Sequence, residues 1–150
     1  MDIATQSSST SVYSRVSGAL DRISWDIIAL PMRVAAFSVF WRAGHVKLED
    51  WGSTVELFQS EYRVPILPPE IAAYLATATE LGASCLLLAG LATRLGTVAL
   101  LGITAMIQLF VYPMAWPVHV QWLAFLFPLL ARGAGRYSLD GLIARSLAGR

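Results

Sequence analysis

Four long apolar segments alternate with shorter polar stretches along the chain, approximately at residues 25–43, 71–91, 95–112 and 118–131. An α-helix over the second segment would be about 31 Å long, which matches the hydrocarbon thickness of a bilayer. The fourth segment is short for a crossing, and local thinning of the bilayer would accommodate it. The pattern predicts an all-α polytopic membrane protein whose four transmembrane helices form an antiparallel bundle.

A short amphipathic helix is predicted between the first two segments, over residues 51–62. Its apolar stripe recurs at helical spacing and consists of Trp51, Val55, Phe58 and Tyr62. Ser53 and Glu56 have the spacing of a capping box, in which each side chain bonds the other's free backbone amide, so Ser53 is the predicted N-cap. A helix of this kind lies in the membrane interface or folds over the mouth of the bundle.

The composition supports a membrane protein. Apolar residues make up 56% of the chain and charged residues 14%, whereas a soluble domain carries about 25% charged residues. The net charge of +1 and the lack of a basic run exclude nucleic acid as a partner. The single cysteine, Cys85, excludes an intramolecular disulfide and a cysteine zinc site. The sequence has no nucleotide-binding loop, nucleophile elbow or metal-binding motif, so neither a metal nor an intrinsic cofactor is expected.

The sequence divides into three parts. Residues 1–24 are rich in Ser and Thr and have no apolar core of the signal-peptide type, so we expect a flexible N-terminal tail, with a short amphipathic helix over 16–28 as an option. Residues 25–143 form the membrane domain, and residues 144–150 form a C-terminal tail. Ser138 is a predicted N-cap, and a weakly amphipathic helix follows it.

Four spans place both chain termini on one side of the membrane, and the cationic residues predict which side. The side with the termini would carry Arg15, Arg22, Arg94, Arg132, Arg136, Arg145 and Arg150, and the other side would carry Arg42, Lys47 and Arg63. Because cytoplasmic loops carry an excess of Lys and Arg, this distribution predicts a protein of the cytoplasmic (inner) membrane with both termini in the cytoplasm.

Two charged residues lie within the predicted spans, Arg33 in the first and Glu80 in the second. The residues one turn from Glu80 are small, which favours a helix face that packs inside the bundle. Counted from the same membrane face, Arg33 lies at a depth of about 12 Å and Glu80 at about 16 Å, so the two are predicted to pair. Such a pair is either a buried ion pair that fixes helix register or a proton-relay or ligand site, and the sequence leaves both open.

A second polar cluster is predicted near the opposite membrane face, beneath the helix over 51–62. It consists of Arg42, His45, Lys47, Gln108 and His119, with Trp122 beside the last. Positive charge with histidines and aromatic rings suits an anionic or a quinone head group. The alternative is snorkelling of cationic side chains to lipid phosphates, which is favoured for Lys47. The candidate catalytic residues are Glu80 and His119. The candidate substrate- or quinone-binding residues are Arg33, Arg42, His45, Lys47, Gln108 and Trp122.

Several short motifs, in their order and spacing, resemble those of the DoxX family of small four-helix membrane proteins. Over about residues 33–143 they are Arg33, Gly44-His-Val-Lys47, Val64-Pro-Ile-Leu-Pro-Pro69, Glu80-Leu-Gly82, Gly90-Leu-Ala-Thr-Arg94, Tyr112-Pro113, His119 with Trp122, and Gly133-Ala-Gly135 followed by Ser138-Leu-Asp140. Ala134 stands where the family pattern has Pro. The resemblance singles out Arg33, Lys47, Glu80, Arg94 and His119.

This resemblance implies a protein of the cytoplasmic membrane. Members of the family are associated with a thiosulfate:quinone oxidoreductase and with membrane complexes that handle oxidative stress. With one thiol and no cofactor motif, the chain would need a partner for sulfur redox chemistry. Two hypotheses follow: a quinone-interacting redox subunit that works with a soluble or membrane partner protein, or a non-catalytic anchor that recruits a partner to the bilayer. A transporter fits less well, since no pair of broken helices is visible. Formation of a homo-oligomer is left open.

Overall fold

The computed structural model describes residues 3–149, with side chains from residue 12 onward, and no strand occurs among these residues. Its seven α-helices are α1 (Ile3–Leu20), α2 (Trp25–Glu49), α3 (Trp51–Leu57), α4 (Pro69–Ala89), α5 (Thr93–Met106), α6 (Trp116–Arg132) and α7 (Leu139–Ala148). A π-helical turn continues α3 at Phe58–Tyr62, another continues α5 at Ile107–Val111, and a 3-10 turn, Pro113–Ala115, precedes α6. The predicted all-α fold is confirmed.

Four of these segments are long and apolar enough to cross a membrane, and they correspond to the four predicted spans. They are Trp25–Glu49, Pro69–Ala89, Thr93–Val111 and Pro113–Arg132. Large apolar side chains on the outside of these segments are exposed, among them Leu95 (70%) and Leu109 (67%). A surface of this kind requires a lipid environment rather than water. The protein is a multi-pass integral membrane protein.

The four spanning helices pack as a closed ring in the order α2, α4, α5 and α6, with α6 in contact with α2. The largest apolar side chains that are fully buried in the ring are Phe40, Leu87, Leu100, Leu126 and Leu129. Gly96 brings α5 close to α4, because a Cβ at this position would lie 2.6 Å from Leu87 Cδ1. Small residues at helix contacts allow the tight packing that stabilises helix pairs inside a bilayer.

The bundle has two ends, which we call the tail end and the cavity end. The tail end contains the start of α2, the turn between α4 and α5, and the connection from α6 to α7. There, Trp25 Nε1 donates to the carbonyl of Gly133 (3.1 Å), and the amide of Arg136 donates to Asp26 Oδ1 (2.6 Å). The cavity end contains the end of α2, the start of α4, the α5–α6 connection, and α3.

The first span is longer than predicted. We expected it to leave the membrane after Ala43, but α2 continues to Glu49. Gly44 lies inside α2 and does not end it. The residue is buried where α2 meets α4, and a Cβ there would lie 2.7 Å from Leu81 Cγ, so this position needs glycine for close packing. Lys47 therefore belongs to the bundle rather than to a surface loop.

The amphipathic helix predicted over 51–62 is present as α3 and its π-helical turn, and its apolar stripe packs on Ala72 and Ala73 of α4. The predicted N-cap at Ser53 is wrong. The N-cap is Asp50, whose Oδ1 accepts from the Ser53 amide (3.0 Å) and whose Oδ2 accepts from the Ser53 hydroxyl (2.6 Å). These hydrogen bonds lower the pKa of Asp50. Aspartate is among the strongest N-cap residues, so the helix begins one turn earlier.

At the N-terminus, residues Ile3–Leu20 form α1, a stretch that contains no proline and no glycine before Gly18. The flexibility expected for residues 1–24 stays a prediction. The optional helix over 16–28 is wrong, because residues 21–24 separate α1 from α2. At the other terminus, the helix predicted after Ser138 is present as α7, and it extends through most of the predicted 144–150 tail.

Candidate functional site

A cavity of about 340 Å³ lies inside the bundle at the cavity end. All four spanning helices contribute to its wall, and the turn Phe58–Tyr62 covers it. Most of the lining is apolar and includes Phe40, Ala76, Met106 and Val111. The lining side chains that can titrate are Lys47, Tyr62, Glu80, Tyr112 and His119. A mainly apolar chamber with a few convergent polar groups is the usual form of a small-molecule site.

An ion pair joins α2 to α4 in the wall of this cavity. Lys47 Nζ lies 2.8 Å from Glu80 Oε2 and 3.0 Å from Glu80 Oε1, and it also donates to the carbonyl of Ala43 (3.3 Å). The Glu80 side chain is 3% exposed and that of Lys47 is 17% exposed. The predicted snorkelling of Lys47 to lipid phosphates is therefore wrong. The bilayer core does not favour a lone charge, and each residue here neutralises the other.

The predicted pairing of Arg33 with Glu80 is also wrong, because Arg33 lies at the tail end. Its Nε donates to the carbonyl of Leu87 (2.9 Å), its Nη1 to the carbonyl of Tyr137 (2.7 Å), and its Nη2 to the carbonyl of Leu88. The last carbonyls of a helix have no partner within the helix, so Arg33 caps the C-terminus of α4. Its guanidinium does not line the cavity.

Asp140 completes this arrangement at the tail end. Its Oδ1 accepts from the amide of Ala92 (2.8 Å), and its Oδ2 accepts from the amide (2.9 Å) and hydroxyl (2.8 Å) of Thr93. Burial opposes ionisation, but the hydrogen bonds from Thr93 and Ala92 outweigh it and lower the pKa of this carboxyl. Arg33 and Asp140 thus bond the end of α4, the start of α5 and Tyr137. We call this set of contacts the tail latch.

Glycine is required within the tail latch. Gly90 ends α4 in the left-handed conformation (φ 67°), and a Cβ there would lie 2.4 Å from Ser138 Cβ and 3.0 Å from Arg33 Cζ. Two of the motifs noted in the sequence, Gly90–Arg94 and Ser138–Asp140, therefore meet in space. The amide of Asp140 donates to the Gly90 carbonyl (2.8 Å), which joins them directly.

His119 reaches the cavity from α6 and is 4% exposed. Its Nδ1 lies 2.6 Å from Gln108 Oε1, while Gln108 Nε2 donates to the carbonyl of Pro113 (2.8 Å). Because the amide nitrogen of Gln108 is used in this way, its oxygen accepts from His119 Nδ1, and Nε2 is left as the acceptor of the neutral ring. The ring centroid of His119 lies 4.9 Å from that of Trp122, which also lines the cavity.

The predicted cluster of Arg42, His45, Lys47, Gln108 and His119 is only partly formed. Lys47 and His119 line the cavity, and Gln108 orients His119. Arg42 and His45 lie on the outside of α2, where both are exposed, and the His45 ring is stacked with Trp41 (6.2 Å between centroids). Because α2 continues as a helix through Glu49, Arg42 and His45 lie on its outer face, away from the interior of the bundle.

The turn Phe58–Tyr62, together with α3, acts as a lid on the cavity. Phe58 is 4% exposed, and the ring of Tyr62 meets that of Tyr112 edge to face at 5.7 Å. The hydroxyl of Tyr112 donates to Glu61 Oε1 (3.2 Å). Burial and the hydrogen bond with Tyr112 raise the pKa of Tyr62. The contact between Tyr112 and Glu61 could not be predicted from the sequence, because the two residues are 51 positions apart in the chain.

Among the described residues, no three His, Cys, Asp or Glu side chains are close enough together to hold a metal ion. The DoxX family model matches residues 28–113, which is more than half of the chain. No curated protein and no solved structure matches the chain significantly. The matched region contains the Lys47–Glu80 pair and most of the cavity wall. The chain belongs to the DoxX family.

Proposed function

We propose that the protein is a quinone-interacting membrane subunit that works with a redox partner protein. The observation that supports this proposal is the cavity, whose mainly apolar wall also carries the Lys47–Glu80 pair, His119 and two tyrosines, Tyr62 and Tyr112. The volume of about 340 Å³ is within the range of small-molecule sites and accommodates a substituted ring.

The polar lining of the cavity suits a ring that carries two oxygen atoms. The donors of Lys47 are engaged by Glu80 and Ala43, so the groups left for those oxygens are the Glu80 carboxyl and His119 Nε2, and aromatic side chains of Phe40 and Trp122 provide flat contact surfaces. Leu67 and Leu75 line the cavity and are also 40% and 53% exposed, so the wall is open toward lipid on this side of α4. A long apolar tail would leave the cavity there.

A bound quinone supplies an acceptor for two electrons and two protons. In the proposed function the chain contributes the proton-handling groups. The Glu80 carboxyl, held in place by Lys47, and His119 Nε2, on a ring held by the bond from Nδ1 to Gln108, each take up a proton from water and pass it to an oxygen of the quinone ring. The partner protein contributes the electrons. The arginines at the tail end support an orientation in the cytoplasmic membrane with both termini in the cytoplasm.

The test is to fill the cavity and measure bound quinone. Ala76 lines the cavity on α4, whereas Ala78 lies on the outside of the same helix. Protein purified in mild detergent is extracted with organic solvent, and the quinone per chain is quantified together with the visible absorption spectrum. We expect near-stoichiometric quinone in the wild type and in Ala78→Phe, and at least tenfold less in Ala76→Phe. Equal quinone content in the two variants, or none in folded wild type supplied with quinone, would contradict the proposal.

One observation favours the second function, a non-catalytic anchor that recruits a partner. No residue of α7 is buried, and its apolar side chains, such as Leu142 and Leu147, are 55% and 65% exposed. Truncation after residue 141 removes most of α7 and retains Asp140. If the anchor function is correct, truncation releases the partner from the membrane fraction and leaves quinone content unchanged.

A further inference from the structure

A second cleft, of about 690 Å³, lies at the tail end. It is open to the outside and is bordered by the start of α2, the α4–α5 turn, the end of α6, the α6–α7 connection and α7. Four arginines line it: Arg94, Arg132, Arg136 and Arg145. We call it the arginine cleft. It lies at the opposite end of the bundle from the quinone site and does not depend on that proposal.

The arginine cleft has an excess of positive charge. Its two carboxylates, Asp26 and Asp140, accept hydrogen bonds from backbone amides, and within residues 3–149 neither lies within salt-bridge distance of an arginine. Four arginines against two carboxylates leave a net charge of +2 in the lining. Protein carboxylates therefore do not neutralise this site.

The arginines also retain most of their donors. Arg94 Nη2 donates to the carbonyl of Ala131 (3.3 Å), and Arg145 Nη1 donates to the carbonyl of Arg136 (3.1 Å). The guanidinium of Arg132 lies over the ring of Trp25, 5.3 Å from its centroid. A guanidinium has five N–H donors, so each arginine has several left for a ligand. The planar arrangement of these donors matches phosphate oxygens.

The position of the arginine cleft relates it to the membrane surface. The first span begins at Trp25 and the last ends at Arg132, so the cleft lies at the level of lipid head groups. Leu95, at its rim, is 70% exposed. The apolar side chains of α7 are also unpacked: Leu139, Leu142, Ile143 and Leu147 are 41%, 55%, 48% and 65% exposed.

We propose that the arginine cleft binds the phosphate of an anionic phospholipid, with α7 lying on the surface of the same leaflet. Basic pockets beside transmembrane helices bind such head groups. The exposed apolar side chains at the rim and on α7 distinguish a lipid from free phosphate, because they provide contact surface for the acyl chains.

The experiment measures lipid binding to the full chain in mild detergent. Phosphatidylglycerol or phosphatidylcholine is titrated, and bound lipid is followed by native mass spectrometry and by the shift of the unfolding temperature. We expect phosphatidylglycerol to bind and to stabilise the wild type, and phosphatidylcholine to have little effect. In Arg94→Gln/Arg145→Gln, phosphatidylglycerol should bind roughly 10- to 30-fold more weakly.

The matched control is Arg42→Gln/Arg63→Gln, which removes the same charge at the cavity end and should bind phosphatidylglycerol like the wild type. Arg136→Gln is a second test, because no described residue accepts a hydrogen bond from this side chain or forms an ion pair with it. It should weaken binding at least threefold. Equal binding by the cleft variants and the control would overturn the proposal. An equal unfolding shift with inorganic phosphate would also overturn it, since the site would then take free phosphate.

Discussion

The ammonium of Lys47 and the carboxylate of Glu80 lie 2.8 Å apart across the contact between α2 and α4. Glu80 is buried, Lys47 is partly buried, each is the charged partner of the other, and both line the cavity. The pair therefore has two roles, because it holds two spanning helices in register and supplies the polar groups of the proposed ligand site.

Removal of one partner from this pair should destabilise the bundle. Lys47→Met leaves the Glu80 carboxylate without its counter-charge, and we expect the free energy of unfolding to fall by about 3 kcal/mol. The combined variant Lys47→Met/Glu80→Gln should recover part of this loss, because it removes both charges. Unfolding in mixed micelles provides the measurement, with the exposed Glu49→Gln as the control. A single variant as stable as the control would show that the pair does not stabilise the bundle.

His119 should affect ligand content without affecting the fold. In His119→Leu we expect quinone content to fall at least tenfold, since the polar contact in the cavity is lost, while the unfolding temperature changes little. His45→Leu is the matched control, because His45 is exposed outside the cavity. The measurement is quinone per chain after extraction. Parallel loss of quinone and of unfolding temperature in His119→Leu would instead assign His119 a structural role.

Arg33 should matter for stability and not for ligand binding. Arg33→Met removes the donor of the Leu88 carbonyl and leaves the Leu87 carbonyl with the Gly90 amide alone, and each unpaired buried polar group costs roughly 1–3 kcal/mol. Arg33→Lys should restore only part of the stability, because an ammonium does not reproduce the fork that reaches three carbonyls. Unfolding temperature and quinone content are measured on the same preparations. If quinone is lost from folded Arg33→Lys, the assignment of Arg33 to the tail latch alone is wrong.

Asp140 should make stability depend on acid pH. Its pKa in the folded protein is lowered below the ordinary value of 3.8, so its contribution is present above that pH and is lost as the pH falls through the folded pKa. The wild type should therefore lose stability in this acid range, and Asp140→Asn should show a lower unfolding temperature at neutral pH and a flatter acid dependence. Asp21→Asn, in the exposed turn before α2, should follow the wild type.

The contact between Tyr112 and Glu61 should hold the lid closed. Tyr112→Phe removes the hydrogen bond and retains the ring contact with Tyr62, so we expect hydrogen exchange across residues 54–64 to become about fivefold faster. Tyr137→Phe at the tail end is the control, since its side chain is 66% exposed. Unchanged exchange in Tyr112→Phe would show that apolar packing alone closes the lid.

Much of the fold could be predicted because its signals are local. Apolar length identified the four spans, and the stripe from Trp51 to Tyr62 identified the lid helix. The site was predicted less well. Counting residues placed Arg33 and Glu80 at similar depths, but Arg33 reaches the end of α4 whereas Glu80 lies beside Lys47. Counting also did not give the end of α2, and an error of about six residues there placed Lys47 outside the bundle.

The contacts of the tail latch could not be predicted by the same means. Asp140 and Thr93 are 47 positions apart in the chain, and Arg33 and Tyr137 are 104 apart. No periodicity or local motif links such positions. The motifs around Gly90 and Ser138 were visible in the sequence, but their meeting in space is a property of the assembled ring.

The tail latch also has a consequence for biosynthesis. Arg33 donates to the carbonyls of Leu87 and Tyr137, and Asp140 accepts from the amides of Ala92 and Thr93, so the tail latch depends on residues that are made after all four spans. A nascent chain that stops before residue 137 therefore has every membrane helix but an unfinished junction. The tail latch can therefore close only after residue 140 has been synthesised.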